Sequence, residues 1–380
     1  MKRFAIGELF CGPGGLGLGA KLAGKALNSV IVEHAWANDI DKASCETYKK
    51  NVADGQTVVA NMPVDQFLES SNLNPIDGLL FGFPCNDFSL VGESKGLDGK
   101  FGGLYLAGVK ALNKFNPDFF VAENVTGLSS ANNGIAMAQI LTDLCSAGNE
   151  GYHLTVHKYA FERYDVPQKR KRFIITGFKS SLPGADSYFP PKPSDKKITA
   201  AEALSGVETI LPNNQISRTS RVVEERLKRI QPGQNAWNAD LDEYALNVKG
   251  ARLSNIYRRL TADQPAYTVT GSGGGGTHMY HYDMKINRPL TNRERARLQT
   301  FPDDFVFSGS LNEVRKQIGM AVPVKGAQHI MNSIFMHLLA PTNSMQGIDP
   351  SLGRFPPNRA VSSQQLSNYS LSRQKSFSFS

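Results

Sequence analysis

Short apolar runs alternate with amphipathic stretches over residues 3–180. The apolar runs have the length of strands and predict them at residues 4–10, 30–37, 78–83, 119–123 and 172–178. The amphipathic stretches predict helices at residues 42–51, 104–114 and 136–147. Because strands that alternate with helices form βαβ units, this pattern predicts an α/β fold with a Rossmann-like, mostly parallel sheet and helices on both faces.

The pattern changes after residue 180. Residues 180–197 are rich in Pro, Ser, Lys and Asp, and residues 198–286 are irregular and polar apart from a basic helix candidate at 220–230. Regular patterns return at residues 290–298 and in a closing helix at 327–339.

This change in pattern predicts the domain organisation. We expect a first domain over residues 1–180, a smaller domain over 181–287 and a return to the first domain over 288–340. The tail, residues 341–380, is dominated by Ser, Asn, Gln and Pro, and such a composition predicts disorder.

The composition is typical of a globular protein in a reducing compartment. The chain has 380 residues, of which 41% are hydrophobic, so a sizeable core is expected. Four widely spread cysteines without a CxxC pair argue against a disulfide framework and against a zinc site, so no metal is predicted. The sequence has no signal peptide and no apolar run that could span a membrane, so we predict a cytoplasmic protein. The net charge of +8 favours a polyanionic partner, although solubility alone also explains it.

The stretch GFPCNDFS, residues 82–89, follows an apolar run at the end of a predicted strand. In open α/β sheets, ligands bind outside the carboxyl ends of the strands. Pro84 should stop the strand, and the polar residues and glycines after Cys85 are typical of a mobile loop. Cys85 is therefore either a nucleophile at the root of this loop or, like most free cysteines, a packed core residue.

A glycine-rich loop, ELFCGPGGLG at residues 8–17, lies between a predicted strand and a helix. Gly12, Gly14 and Gly17 fit G-x-G-x-x-G, and Asp39 follows about 20 residues later, as in sites that bind a dinucleotide and its ribose hydroxyls. The alternatives are that the glycines serve packing and that Asp39 is a helix cap or a surface charge.

Two further groups of polar residues lie at strand ends. Glu123 ends a predicted apolar strand near the same sheet edge as Cys85, although it could equally begin a helix. In the run VPQKRKR, strand alternation places Gln168, Arg170 and Arg172 on one face and the lysines on the other. Two guanidinium groups on that face suit an anion or a carboxylate, whereas the alternative is a solvated charged face.

Taken together and in order, these blocks resemble the DNA cytosine-5 methyltransferase family of the prokaryotic restriction-modification type. The matching blocks are FCGPGG, GFPCNDFS, AENV, VPQKRKR, RPLTNRERARLQTFPDDF at residues 288–305 and QIGMAVP at 317–323. The resemblance spans residues 4–339. It implies a class I methyltransferase fold that uses S-adenosylmethionine to methylate C5 of a cytosine within a specific double-stranded DNA sequence, by base flipping.

The resemblance also implies the catalytic residues. Cys85 would add to C6 of cytosine, which breaks the aromaticity of the ring and makes C5 enamine-like, so that C5 can accept a methyl group. Glu123 would hold N3 and the exocyclic amino group of the base. Arg172 would brace that geometry, Arg170 would support the same pocket, and Gln168 would help to place the strand.

The cofactor and DNA contacts follow from the same resemblance. The implied cofactor residues are Phe10, Cys11, Gly12, Gly14, Gly15, Asp39, Ile40, Asn61, Met62, Pro84, Leu104, Ala321 and Val322. Two positions depart from the family: Asn61 stands where an acid contacts the adenine amino group, and Met320 stands where an asparagine is usual. The implied DNA contacts are Ser89, Thr268, Arg218 and Arg221, and residues 181–287 would form the target-recognition domain.

Three other functions remain as alternatives. A tRNA cytosine-5 methyltransferase shares these motifs, but the long recognition region and the Phe-Ser pair after the Cys85 motif favour DNA. A nicotinamide-dependent dehydrogenase would explain only the glycine loop, and a catalytically silent DNA-binding protein would not explain the Cys-Glu-Arg set. We expect a monomer that acts on double-stranded DNA, with a cognate restriction endonuclease as a candidate partner.

Overall fold

The computed structural model describes residues 1–70, 72–83, 103–129, 134–247, 253–271, 275–341 and 353–368. The strands are β1 (Lys2–Leu9), β2 (Val30–Asp39), β3 (Val58–Asn61), β4 (Gly78–Gly82), β5 (Phe119–Val125), β6 (Tyr152–Ala160), β7 (Gln168–Lys169), β8 (Lys171–Lys179), β9 (Ala266–Tyr267) and β10 (Gly353–Phe355). The helices are α1 (Gly15–Leu27), α2 (Lys42–Asn51), α3 (Val64–Glu69), α4 (Tyr105–Phe115), α5 (Ile135–Cys145), α6 (Ala200–Leu204), α7 (Arg221–Arg229), α8 (Asn292–Leu298), α9 (Leu311–Met320), α10 (Val324–Leu339) and α11 (Ser363–Asn368). Within these ranges, no helix combines the length and the apolar character that crossing a bilayer requires.

The main sheet has eight strands in the order β10-β6-β8-β5-β4-β1-β2-β3. The five strands from β5 to β3 are parallel, whereas β8 runs antiparallel to both β5 and β6. A second, two-stranded sheet joins β7 to β9. The predicted α/β fold with a mostly parallel sheet is confirmed.

Strand alternation divides the interior between the two faces of this sheet. Leu79 and Phe81 of β4 join a core that includes residues of α3, α4 and α5, whereas Leu80 joins a core that includes residues of α1 and α10. Because successive side chains of a strand point to opposite faces, one apolar strand contributes to both cores. The predicted helices on both faces of the sheet are therefore present.

The strand order reverses at β1, and this reversal positions the site. The chain moves from β1 to β2 and β3 on one side, and then crosses back to place β4 on the other side of β1. Such a topological switch point opens a crevice at the carboxyl ends of the two central strands. The glycine loop follows β1 and GFPCNDFS begins at the end of β4, so both motifs start at this crevice.

The sequence did not predict β3, β6, β9 or β10. The burial of β3 shows no inward face, because all four of its residues are partly or fully exposed. In β6, the polar residues His153, Thr155, His157 and Lys158 interrupt the apolar pattern, although the strand pairs along its whole length with β8. Helix 42–51, by contrast, has the predicted bounds, and it begins with an Asp41 side chain that accepts from the Ser44 N–H.

The prediction of disorder is wrong for residues 353–368. Residues 353–355 form β10, which pairs antiparallel with β6, and residues 363–368 form α11. Phe355 and Leu366 are buried in the core beside α5. These two apolar residues anchor the segment. The prediction of disorder rested on the average composition of the tail, to which two residues contribute little.

The described residues between 181 and 287 include irregular segments around a small core. That core comprises Leu227 and Ile230 of the predicted basic helix together with Ala236, Leu241, Tyr257 and Tyr280. Arg259 is buried beneath it and donates to the carbonyl oxygens of Leu227 and His281, both at 2.8 Å. The Arg259 guanidinium group thus hydrogen-bonds to backbone carbonyls of separate segments and holds them together without a regular sheet.

Candidate active site

The glycine loop turns sharply at the end of β1. Phe10, Gly12 and Gly14 have φ values of 53°, 53° and 93°, a left-handed conformation that glycine tolerates well. The N–H of Gly12 donates to Asp39 Oδ2 at 2.8 Å, which ties the loop to the end of β2. A Cβ atom at Gly12 would meet no atom within 4 Å, so the loop borders open space at this position.

Residues 321–322 close against this loop. A Cβ atom at Gly15 would lie 2.3 Å from the carbonyl oxygen of Val322, so only glycine fits there. The structure thus brings together the predicted residues Gly15 and Val322. The Cys11 side chain instead points into a buried cluster, where burial raises the pKa of its thiol.

The ends of β2 and β3 add polar and apolar groups beside the loop. Asp39 also accepts from the N–H of Asp41 at 2.8 Å, and its pKa is raised mainly by burial. The Asn61 amide nitrogen donates to the carbonyls of Asp39 and Ile40, at 3.2 and 2.9 Å, which leaves its oxygen as an acceptor. Ile40 and Met62 are 74% and 40% exposed, unusual for large apolar side chains. Phe10 and Leu104, both half-buried, pack against one core, and Pro84 lies outside the described residues.

Glu123 and Arg172 form an ion pair at the carboxyl end of the sheet. Glu123 Oε1 lies 2.8 Å from Arg172 Nε, and both side chains are largely buried. Oε1 is nevertheless without a hydrogen-bond partner in the part of the chain that the structure describes. Glu123 is in register with Gly82 of β4, where a Cβ atom would lie 3.3 Å from Oε2.

The neighbouring residue connects this pair to the Cys85 segment. The Asn124 amide donates to the carbonyl oxygen of Phe83 at 3.1 Å. Phe83 precedes Cys85 by two residues, and Cys85 itself lies outside the described residues. The described end of β4 is therefore held directly against the strand that carries Glu123.

Gln168 lies in β7 and Arg170 lies between β7 and β8, and both are buried, whereas Lys169 and Lys171 are exposed, as the predicted alternation requires. Arg170 donates to the carbonyl oxygen of Val269 at 3.0 Å, and burial holds its pKa well below its usual range. Gln168 accepts from the N–H of Val269 at 2.7 Å and donates to Gln299 Oε1 at 2.9 Å. These two residues therefore contact neighbouring segments, and Arg172 is the member of the set that contacts Glu123.

Gln299 was not singled out from the sequence. Its amide donates to the carbonyl oxygens of Ile318 and Ala321 at 2.6 and 3.1 Å. Two buried glutamines, Gln168 and Gln299, thus link β7 to the segment that closes on Gly15. The sequence signal that could have identified Gln299 is its position inside the matching RPLTNRERARLQTFPDDF block.

Comparisons with known proteins agree with this geometry. The family described as C-5 cytosine-specific DNA methylase matches residues 4–336. The chain belongs to this family. It is 51% identical to Type II methyltransferase M.BbvI of Brevibacillus brevis over 87% of this chain and 91% of that protein. It is 38% identical to Type II methyltransferase M.NgoFVII of Neisseria gonorrhoeae, over 86% and 85% of the two chains. The predicted enzyme class, a DNA (cytosine-5-)-methyltransferase of the restriction-modification type, is confirmed.

Solved structures support the same fold. A DNA modification methyltransferase encoded in an Escherichia coli prophage, described as putative in its title, superimposes with a TM-score of 0.66 at 23% identity, over 88% of this chain and 99% of that one. The Entamoeba histolytica methyltransferase EhMeth gives a TM-score of 0.61 at 15% identity, over 89% and 99%. At these sequence identities, the structural similarity supports only the fold of this DNA methylase and not its function.

The residues predicted to contact DNA lie in different surroundings. Arg218 and Arg221 are exposed, and Arg218 borders a cleft of about 610 Å³ together with Ser217, Lys285 and Arg288. Thr268 donates to the carbonyl oxygen of Lys169 at 2.7 Å, and Ser89 lies outside the described residues.

The basic helix α7 has fewer available charges than its sequence indicates. Arg226 donates to the carbonyl oxygen of Tyr244 at 2.7 Å, and Lys228 and Arg229 both pair with Glu225. Internal partners therefore already engage Arg226, Lys228 and Arg229.

A buried polar cluster beneath the glycine loop of this methylase was also missed. Tyr48 donates to Glu8 Oε2 at 2.9 Å and lies 3.0 Å from His34 Nδ1. A Cβ atom at Gly17 would lie 2.4 Å from Glu8 Oε2 and 2.8 Å from the Tyr48 hydroxyl. The cluster therefore supports the start of α1 directly. Its members are far apart in sequence, and no spacing signal connects them.

We expect Glu8→Gln to change how stability depends on pH. Burial raises the pKa of Glu8 from 4.5 to about 8, even though the Tyr48 hydrogen bond lowers it. Between these values the folded chain holds a proton that the unfolded chain has lost, so the free energy of unfolding falls as pH rises, by up to about 1.4 kcal/mol per pH unit. The Glu8→Gln variant lacks this loss, and its stability relative to the natural chain should increase from about pH 5 to pH 8.

Urea unfolding at three pH values across that window measures the difference. Burial lowers the pKa of His34 from 6.5 to about 4, so between these pH values His34 makes the free energy of unfolding rise with pH, opposite to the effect of Glu8. His34 is present in both proteins, so comparing them isolates Glu8. Glu33→Gln is the control, since Glu33 is exposed on the same sheet. A constant stability difference across the range would contradict a protonated Glu8.

Proposed function

We propose that this enzyme transfers the methyl group of S-adenosylmethionine to C5 of a cytosine in a specific double-stranded DNA sequence, with the base flipped out and bonded through C6 to Cys85. The observation that carries this proposal is the Glu123 carboxylate. It is largely buried and braced by Arg172, whose Nε lies 2.8 Å from Oε1 without making a well-aligned hydrogen bond to it. It lies at the carboxyl end of β5, which pairs with β4 at the crevice.

The residues beside the glycine loop fit S-adenosylmethionine. The exposed apolar side chains of Ile40 and Met62 can flank a flat adenine ring, and the Asn61 oxygen can accept from its amino group. Both Asp39 carboxylate oxygens retain a lone pair for ribose hydroxyls after accepting one backbone N–H each. The open space at Gly12 admits the methionine part. The bound cofactor supplies an electrophilic methyl group on a sulfonium.

Cys85 and Glu123 carry out the chemistry on the base in this proposal. The Cys85 thiolate adds to C6, and the electron pair of the C5–C6 double bond moves so that C5 becomes a carbon nucleophile. Glu123 shares a proton with N3, which draws negative charge out of the ring as sulfur adds. When C5 gains the methyl group, the sulfonium sulfur leaves as a neutral thioether. Water then takes the proton from C5, and the electrons of that C–H bond restore the C5–C6 double bond and expel the Cys85 thiolate. Arg172 holds Glu123 in place throughout.

DNA recognition falls to the smaller domain, residues 181–287, with phosphate contacts from Arg218, Arg221 and Thr268 and a further contact from Ser89. Extrusion of the base costs a few kcal/mol in lost stacking and pairing. The enzyme acts as a monomer in the bacterial cytoplasm, and its cognate restriction endonuclease cleaves the same sequence when unmethylated.

A single experiment tests the product and the covalent step together. The full chain is incubated with labelled S-adenosylmethionine and either genomic duplex DNA or bulk tRNA, and methylated cytosines in the DNA are then located by bisulfite sequencing. A duplex in which the identified target carries 5-fluorocytosine should form a stable adduct at Cys85, because fluorine cannot leave as a proton does. Methylation of tRNA alone, or product without any adduct at Cys85, would overturn the proposal.

A further inference from the structure

We propose that Arg295, Arg315 and His278 form a binding site for a phosphate group of the DNA backbone. This phosphate site draws one residue from α8, one from α9 and one from the segment that follows residue 275. The inference rests on the proposed function, because it takes duplex DNA as the substrate.

Arg295 carries a buried charge that the protein does not satisfy. It is 1% exposed, and its Nε and Nη2 atoms have no hydrogen-bond partner in the described part of the chain. Arg293, on the same helix, instead donates to the carbonyl oxygens of Pro212, Pro302 and Phe305. Arg170, Arg259 and Arg354 each leave only Nε unpaired, whereas Arg295 leaves two nitrogen atoms unpaired. Because an unpaired buried guanidinium is costly, this difference indicates an acceptor that comes from outside the described chain.

His278 and Arg315 adjoin Arg295. The carbonyl oxygen of Met279 accepts from the N–H of Leu290 at 2.8 Å, which holds the His278 segment beside the start of α8. Burial and the nearby Arg315 charge lower the pKa of Arg295 to about 10. Burial and both arginines lower the pKa of His278 to about 4, and its Nδ1 also lacks a partner in the described residues. Three basic side chains therefore converge on one place.

Among the described residues, Glu294 is the acidic side chain that acts on Arg295, and it offsets the positive charge of this cluster only in part. Tyr267 of β9 and Tyr280 are the other titratable groups that influence Arg295 on these sides. Glu294, its neighbour on α8, makes a bidentate pair with Arg288 at 2.8 Å and accepts from the N–H of Thr291. The charge of Glu294 is thus already engaged, and the cluster keeps a positive excess.

The chemistry of this cluster favours a phosphodiester. Phosphate oxygens accept several hydrogen bonds at once and match the planar fork of a guanidinium. His278 and Arg315 are only half-buried, so the site has a solvent side on which a DNA strand can lie. Tyr267 directly precedes Thr268, which is proposed above as a DNA contact. The site therefore extends that contact surface onto α8 and α9.

The dependence of DNA binding on salt tests the site. We expect Arg315→Gln and Arg295→Met to weaken binding to duplexes of any sequence, and to make the plot of log K against log salt concentration less steep by about 0.9, the loss of one phosphate contact. Arg297→Gln is the matched control, since Arg297 lies on the same helix and is paired with Asp303. Its slope should equal that of the natural chain.

The outcomes separate this inference from the proposed function. An unchanged slope for Arg315→Gln overturns the phosphate site, and this half-buried position decides the matter if Arg295→Met fails to fold. Thermal unfolding with inorganic phosphate adds a second arm: stabilisation by free phosphate with an unchanged DNA slope would also overturn the assignment to DNA. Methylation of duplex DNA by the natural chain is measured separately, so its absence would count against the proposed function instead.

Discussion

Cys85→Ala is expected to abolish methyl transfer, with a loss of about a thousandfold or more, while duplex binding is unchanged. Without sulfur at C6, C5 keeps its electrons within the aromatic ring and cannot attack the methyl group. No other described thiol can replace it, because Cys11, Cys45 and Cys145 are buried. Single-turnover methyl transfer and equilibrium binding to the same duplex measure the two properties independently.

Cys145→Ala is the matched control for this substitution. Burial alone raises the pKa of Cys145 to about 12, so its thiol stays protonated and unreactive near neutral pH. We expect this variant to lose some stability, because Cys145 belongs to the core beside α5, and to retain its rate of methyl transfer. Substantial methylation by Cys85→Ala would show that the reaction proceeds without a covalent bond to the base.

The central elements of the fold are predictable because their patterns are local. The runs that became β1, β2, β4 and β5 are mostly apolar, since helices cover both faces of the sheet that they form. The strand β6 is antiparallel and carries polar residues, so its pairing with β8 depends on residues distant in sequence. The strand β10 depends on such pairing even more, because only Phe355 anchors it in the core.

The candidate site likewise contains residues that sequence motifs predict and contacts that they do not. Motif order led to Glu123, Arg172, Asp39 and the glycine loop, and the structure brings Glu123 to Arg172 at 2.8 Å. The cluster around Tyr48 and the link through Gln299 join residues that are 40 and 131 positions apart. Such contacts arise only when the chain has folded. Sequence also cannot show which charges are engaged internally, as the partners of Arg226, Lys228 and Arg229 on α7 illustrate.

Glu123→Gln should reduce the rate of methyl transfer by about a hundredfold to a thousandfold, the usual contribution of a positioned proton donor or acceptor. Glutamine can still hydrogen-bond to the base, but it cannot share a proton with N3, and it leaves the Arg172 guanidinium without a negative partner. The loss should therefore appear in the single-turnover rate at saturating DNA and cofactor, and much less in the affinity for either.

Asp118→Asn provides the control because it breaks a similar ion pair on the same two strands. Asp118 Oδ1 lies 2.8 Å from Lys179 Nζ, at the opposite end of the antiparallel pair of β5 and β8. If Glu123 served only to hold these strands together, the two substitutions would lower stability and activity alike. A large loss of rate confined to Glu123→Gln, with similar melting temperatures for both variants, instead assigns the carboxylate to chemistry on the base. Equal activity in the two variants would remove Glu123 from the mechanism.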